Sequence, residues 1–265
     1  MKITILGSGS WGMALAWVLS QKTDSTSPQI SLWGRNQDLM NKIEATRSHP
    51  TFAPKQRLGD TVCATSSLEA ALKDSGIVLF VVPSRGMREV ARNASRFIKP
   101  ETFLVSCVKG FEDRTYKRIS QILKEELGHF TPKIAVLTGP NHAEEVILGE
   151  PAATLIASKN LEAAQQIQDC LAAPSLRIYT SEDLIGAELG GALKNVIALA
   201  VGIASGLGLG DNAKAALMTR GLAEIARLGV AMGAHPMTFT GLSGVGDLIA
   251  TCTSEHSRNF RAGRL

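Results

Sequence analysis

A chain of 265 residues with 45% hydrophobic and 20% charged residues is long enough for one large domain or two of ordinary size, with a sizeable soluble core. The formal net charge is only +4, Lys and Arg are scattered without a long basic run, and aromatics make up 5%. This excludes the electrostatic and stacking footprint of a nucleic-acid binder. No run of about 18 apolar residues occurs, so no membrane span is predicted.

The first half alternates strand and helix signals. Apolar, β-branched runs predict strands over 3–6, 29–33, 62–65, 77–82, 103–106, 134–137, 153–157 and 176–179. Between them, helices are predicted over 12–21, 37–46, 87–97, 115–127 and 161–171. Near-continuous apolar strands separated by helices imply a mostly parallel sheet covered on both faces, a doubly wound, Rossmann-type α/β domain over residues 1–183. After Asp183 the chain is rich in Ala, Leu and Gly without a convincing strand, and residues 184–265 read as a mostly helical second domain. Asp211 reads as an N-cap there. The chain ends inside a helical pattern at Gly263-Arg264-Leu265, which reads as a truncated helical domain.

Cys63, Cys107, Cys170 and Cys252 lie far apart, with no C-x-x-C pair and no His spacing suited to zinc. They read as reduced thiols of a cytoplasmic protein, and no metal site is expected. The start, Met1-Lys2, reaches a glycine turn by Gly7, too soon for the apolar core of a signal peptide.

Gly7-Ser8-Gly9-Ser10-Trp11-Gly12 fits G-x-G-x-x-G between a predicted strand and a predicted helix, the context in which that pattern binds a dinucleotide. Gly7 allows the tight turn, Gly9 lets backbone approach a pyrophosphate, and Gly12 lets helix and strand pack closely. The helix N-terminus offers free N–H groups to the phosphates. The second strand ends in Trp33-Gly34-Arg35-Asn36, with no acid for a ribose 2′-hydroxyl. A guanidinium there pairs with a 2′-phosphate, so NADPH is expected to bind at least as well as NADH.

Three segments leave the carboxyl ends of strands, where open α/β sheets bind ligands: Val82-Pro83-Ser84, Val108-Lys109-Gly110 and Gly139-Pro140-Asn141-His142-Ala143. Lys109 suits a phosphate or a developing alkoxide, or is a plain exposed lysine. Within Glu188–Val196 only Glu188, Lys194 and Asn195 are polar. A lysine in such surroundings either snorkels to water or has a lowered pKa fit for proton transfer. Asp247 can orient the Lys194 ammonium. Ser257-Arg258-Asn259 makes an anion grip, or Ser254 caps a helix and leaves Arg258 exposed.

In this order the segments closely resemble the bacterial-type NAD(P)-dependent glycerol-3-phosphate dehydrogenases. The carriers are the Gly7–Gly12 loop with Trp11, Lys109-Gly110, Gly139-Pro140, Glu188 to Asn195, Gly244 to Asp247, and His256 to Asn259. The resemblance implies hydride transfer between NADPH or NADH and dihydroxyacetone phosphate, giving sn-glycerol 3-phosphate for phospholipid synthesis, with a homodimer as one expected assembly. It implies that Ser10, Trp11, Arg35, Lys109 and Ala143 contact the dinucleotide, and that Lys109, Gly139 and Asn141 bound the substrate. It makes Lys194 the proton donor or acceptor. Asp247, Ser257, Arg258 and Asn259 complete the substrate site, Arg258 also reaches the cofactor, and Asn195 orders the site. The family usually carries Ser or Thr at the place of Asn141, whose amide still offers a donor, and it continues beyond residue 265. Two alternatives stay open at this point: a dehydrogenase of a β-hydroxy acid or sugar acid with the same architecture, and a non-catalytic dinucleotide-binding module.

Overall fold

The computed structural model describes residues 1–22, 27–128 and 133–265. Strand β1 (Lys2–Leu6) has four fully enclosed residues and pairs in parallel with β2 (Gln29–Trp33) on one side and β4 (Ser75–Phe80) on the other. The sheet extends from β2 to β3 (Val62–Thr65), and from β4 through β5 (Phe103–Ser106), β6 (Ile134–Thr138) and β7 (Ala152–Ser158) to β8 (Leu176–Ser181). Its order is β3-β2-β1-β4-β5-β6-β7-β8, parallel throughout except that β7 runs antiparallel to β6. The strand order reverses direction at β1, which places the loop after Leu6 at the switch point where such sheets bind ligands.

Helices α1 (Ser10–Ser20), α2 (Gln37–Thr46), α3 (Leu68–Leu72), α4 (Met87–Ala94), α5 (Ile119–Glu126), α6 (Ala143–Val146) and α7 (Leu161–Leu171) connect the strands. Two apolar cores form on opposite faces of the sheet, one around Ile3, Ile5 and Leu15, the other around Leu6, Phe80 and Leu104. That is what continuous apolar strands require.

Helix α8 (Leu184–Gly206) begins the second region, followed by α9 (Asp211–Ala231), α10 (Asp247–Thr253) and α11 (Arg258–Arg264). Asp183 caps α8 by accepting from the Gly186 N–H at 2.9 Å, and it also accepts from the His235 N–H and the Thr238 hydroxyl. At 23 residues α8 is long and apolar enough to cross a membrane by length and composition alone. It is instead the hub of the helical region: α9, α10 and α11 pack on it, and it carries buried ion pairs at Glu188 and Lys194.

The structure corrects four boundaries. The helix expected over 115–127 begins only at Ile119, because 111–118 folds into a narrow loop closed by a Phe111–Arg118 bridge, with Arg114 and Tyr116 left-handed at φ 70° and 55°. The fourth strand ends at Phe80 rather than Val82, ahead of a 3-10 turn over Ser84–Gly86. Asp211 is the first residue of α9, not its cap, and its carboxylate pairs with Lys214 at 2.6 Å. The cap of α11 is Ser257, not Ser254.

Candidate active site

The turn after β1 can be built only from glycine at two points. Gly7 has φ 135°, and a Cβ there would lie 2.3 Å from the Val81 carbonyl oxygen; one on Gly12 would lie 1.8 Å from the Gly7 oxygen. Gly9 differs: it is the extended N-cap of α1, it is exposed, and a Cβ on it would meet nothing within 4 Å. The space above Gly9 is therefore an open cradle. Helix α1 has no side-chain cap and no acid in its first turn, and its first bond runs from the Met13 N–H to the Gly9 carbonyl. The earlier N–H groups, including those of Ser10 and Trp11, are left for an outside acceptor. These residues fit a dinucleotide pyrophosphate. Arg35, past the end of β2, is exposed and has no ion pair among the described residues, so its guanidinium is available to an anion. The Trp11 side chain binds the buried Cys107 thiol, which burial pushes up to about 12 and makes inert. Ala143 is buried as the first residue of α6.

In the helical region, Lys194 of α8 is 5% exposed. Its ammonium donates to Asp247 Oδ1 and, at 2.6 Å, to Thr251 Oγ1. The Thr251 hydroxyl donates in turn to the Asp247 backbone carbonyl, also at 2.6 Å, which leaves its oxygen facing the lysine. Lys109, from the loop after β5, donates to the other oxygen of the same carboxylate at 3.0 Å, to the Gly139 carbonyl at 2.9 Å and to Asn141 Oδ1 at 3.1 Å. Two ammonium groups thus share one carboxylate that is 2% exposed. One negative charge does not neutralise two positive ones, and the local excess suits an anionic ligand. Burial, and next the repulsion of Lys109, lower the Lys194 pKa to about 7 against the opposing pull of Asp247.

The remaining expected residues make other contacts. The Asn141 amide, expected to offer a donor, spends one N–H on Thr154 Oγ1 at 3.1 Å while its carbonyl receives Lys109. Asn195, next to Lys194, accepts from Asn259 Nδ2 at 2.9 Å and so ties α8 to α11. Ser257 is buried and caps α11 by accepting from the Phe260 N–H at 3.2 Å. Of the three-residue grip, then, only Arg258 is exposed without a hydrogen bond or ion pair among the described residues. His142 binds the Ala250 carbonyl through Nε2 at 3.2 Å, a structural link rather than a free base. Sequence reasoning missed Thr251; its signal was the spacing of four from Asp247, which puts both on one helix face. Among the described residues no group of His, Cys, Asp and Glu is arranged to hold a metal. A groove of about 750 Å³ between β7, β8 and the 3-10 turn over Pro236–Thr240 contains none of the expected residues.

Residues 2–164 match the family model described as NAD-dependent glycerol-3-phosphate dehydrogenase N-terminus, and residues 183–265 match its C-terminus. A glycerol-3-phosphate dehydrogenase (NAD(P)+) of Bacillus cereus (strain AH187) is 50% identical over 265 residues, which cover all of this chain and 77% of that one. The crystal structure of glycerol-3-phosphate dehydrogenase from Coxiella burnetii superposes with a TM-score of 0.91 at 37% identity, covering 99% of this chain and 78% of that one. The corresponding enzyme of Saccharomyces cerevisiae gives 0.87 at 29% identity, covering 100% and 80%.

Proposed function

The chain belongs to the NAD-dependent glycerol-3-phosphate dehydrogenase family, and we infer that it interconverts dihydroxyacetone phosphate and sn-glycerol 3-phosphate with NADPH or NADH, using Lys194 as its proton donor and acceptor. The observation that carries the assignment to Lys194 is the pair of ammonium groups, Lys194 and Lys109, held on the buried carboxylate of Asp247.

When bound, the dihydronicotinamide supplies a hydride to the C2 carbonyl carbon of the ketone. The chain's residues manage the charge and the proton. As the carbonyl oxygen becomes negative, Lys194 Nζ stabilises it and gives up a proton to it. Stabilisation that grows with that charge accelerates the step. A pKa near 7 suits this amine to give the proton in one direction and take it in the other at neutral pH. Asp247 and Thr251 fix the direction of the Lys194 amine, and Lys109 adds a second positive charge. Arg258 holds the phosphoryl group, with Asn259 and Asn195 setting the position of its helix and Ser257 capping it. Lys109, Gly139 and Asn141 bound the substrate from the sheet side. Gly7, Gly9, Ser10, Trp11, Gly12, Arg35, Lys109, Ala143 and Arg258 form the dinucleotide side.

The same proposal divides the chain at 183/184, one residue inside the start of the second matched model, where Asp183 caps α8. It includes a cytoplasmic location and a homodimer; exposed Val196, Leu199 and Ile203 along α8 supply apolar surface that association would bury. The test is oxidation of NADPH on adding dihydroxyacetone phosphate, with unphosphorylated dihydroxyacetone as control. Turnover that requires the phosphate is expected. Cofactor binding without turnover would support a binding module instead, and equal turnover with a β-keto acid, the oxidised partner of a β-hydroxy acid, would support the other dehydrogenase class.

A further inference from the structure

The loop between β5 and α5 carries Lys109 at its start and Arg118 at its end. Its arms lie side by side: Phe111 and Arg118 form an antiparallel bridge, and the Glu112 N–H donates to the Lys117 carbonyl at 3.0 Å. Two anchors hold it. From α4, Arg88 grips the Glu112 carboxylate with two bonds of 2.5 and 2.8 Å. From α8, Glu188 accepts from the Ser120 N–H at 2.7 Å and the Ser120 hydroxyl at 2.6 Å, and pairs with Arg118 Nη1.

Glu188 is costly to place there. It is 8% exposed, and Arg118 and Ser120 are its partners. A buried ion pair is often no more stabilising than apolar side chains of the same volume, but it does fix register. The register fixed here is that of the Lys109 loop against α8. Glu188 and Lys194 lie six residues apart on that helix, about 9 Å along its axis. The chain of contacts therefore runs from Glu188 through Arg118, the Phe111 bridge and Gly110 to Lys109, and returns to α8 where Lys109 and Lys194 meet on Asp247.

We propose that Glu188 is a positioning residue of the reaction: through Arg118 and Ser120 it holds the Lys109 loop against α8 and so keeps the Lys109 ammonium beside that of Lys194. The proposal rests on the reading of Lys194 as proton donor. Lys194 is faced by Asp247, Thr251 and the Cys252 thiol from α10 and by Lys109 from the loop. Of these, Lys109 is the one whose place depends on Glu188. Moving Lys109 away relieves a like-charge repulsion and frees Asp247 for Lys194 alone; both effects raise the proton affinity of Lys194.

The test uses Arg118→Met and Glu188→Gln, each alone and combined with Lys109→Met, in protein shown to be folded by circular dichroism. Arg118→Met is the gentler variant, because Glu188 keeps both bonds from Ser120. Two quantities are read: kcat/KM for dihydroxyacetone phosphate, and the titration of Lys194 in cofactor-free protein, followed by carbon-13 NMR of the lysine ε carbons. We expect each single variant to lose on the order of tenfold in kcat/KM, with almost no further loss when Lys109 is already methionine, the signature of coupled residues. Lys194 should titrate at higher pH in both variants. Equal losses with and without Lys109, or a Lys194 titration that does not move, overturns the proposal. If the unsubstituted chain shows no turnover, the activity reading fails while the NMR titration still decides the positioning role.

Discussion

Replacing Lys194 by methionine should stabilise the folded protein while removing its turnover. Lys194 is 5% exposed, and its amine is pushed from 10.5 to about 7, by burial first and Lys109 second. Each factor of ten in proton affinity is worth about 1.4 kcal/mol, so holding this group charged inside the fold at neutral pH costs roughly 5 kcal/mol. Methionine has a comparable unbranched shape and no charge. The pull of Asp247 is already contained in that value, and Asp247 keeps Lys109 at 3.0 Å; against the gain, the buried Thr251 hydroxyl loses its bond from Lys194, which costs about 1–3 kcal/mol. The balance favours Lys194→Met by about 2 kcal/mol, a rise in Tm of roughly 4–8 °C for a chain of this size. The pH dependence has a definite sign. The folded-state pKa lies below the ordinary 10.5, so between about 7 and 10.5 the unfolded chain binds more protons and the native protein gains stability as pH rises. Below that window the cost is complete. The advantage of Lys194→Met should therefore be largest at or below neutral pH and shrink toward alkaline pH. Thermal unfolding followed by circular dichroism at both ends of the window measures it. A lower Tm for Lys194→Met at neutral pH, or an advantage that grows with pH, would refute the reasoning. Turnover should drop by ~10²-fold or more, as loss of a general acid–base typically causes.

Arg258→Ala should raise KM for dihydroxyacetone phosphate about tenfold or more, as expected for loss of a charge-assisted contact, and steady-state kinetics showing an unchanged KM would remove Arg258 from phosphate binding. Arg35→Asp should lower the ratio of NADPH to NADH affinity, because a carboxylate repels a 2′-phosphate and accepts from a 2′-hydroxyl; fluorescence titration of both cofactors checks this, and an unchanged ratio rejects it. An anion arriving beside Lys194 should raise its proton affinity, so binding of glycerol 3-phosphate near neutral pH should take up protons. Calorimetry in two buffers of different ionisation enthalpy would show this, and binding without proton uptake contradicts the placement of the phosphorylated ligand beside Lys194.

Much of the sheet was legible because its strands are buried on both faces, and continuous apolar runs such as Ile77-Val78-Leu79 leave few other readings. The direction of β7 was not, since pairing with β6 is set by neighbours rather than by its own residues. Residues 115–118 read as helix for the same reason: the loop they close is held at Glu112 by Arg88, 24 residues away in the chain, and at Arg118 by Glu188, 70 residues away. Caps were misplaced by short distances. Ser254 and Ser257 are both capping residue types, and only the backbone decides which one accepts from the helix. In the candidate site, the residue types announced themselves one by one: a lysine in an apolar helix, an aspartate after glycines, an arginine between polar neighbours. What no local pattern contained was that Lys109 and Lys194 end on the two oxygens of one carboxylate.

That shared carboxylate also explains why the two halves of the chain act as one unit. Lys109, Gly139 and Asn141 come from the carboxyl ends of sheet strands, whereas Lys194, Asp247 and Thr251 come from helices beyond residue 183. Neither half can satisfy Asp247 alone: without the loop after β5 it keeps one ammonium, and without α8 it keeps the other. A carboxylate that is 2% exposed is costly to leave without either ammonium. The interaction that gathers positive charge at Asp247 is thus also one of those that tie the sheet region to the helical region. A substitution at Asp247 would disturb the packing of the halves and the proton affinity of Lys194 together, and neither effect can be assigned from activity alone.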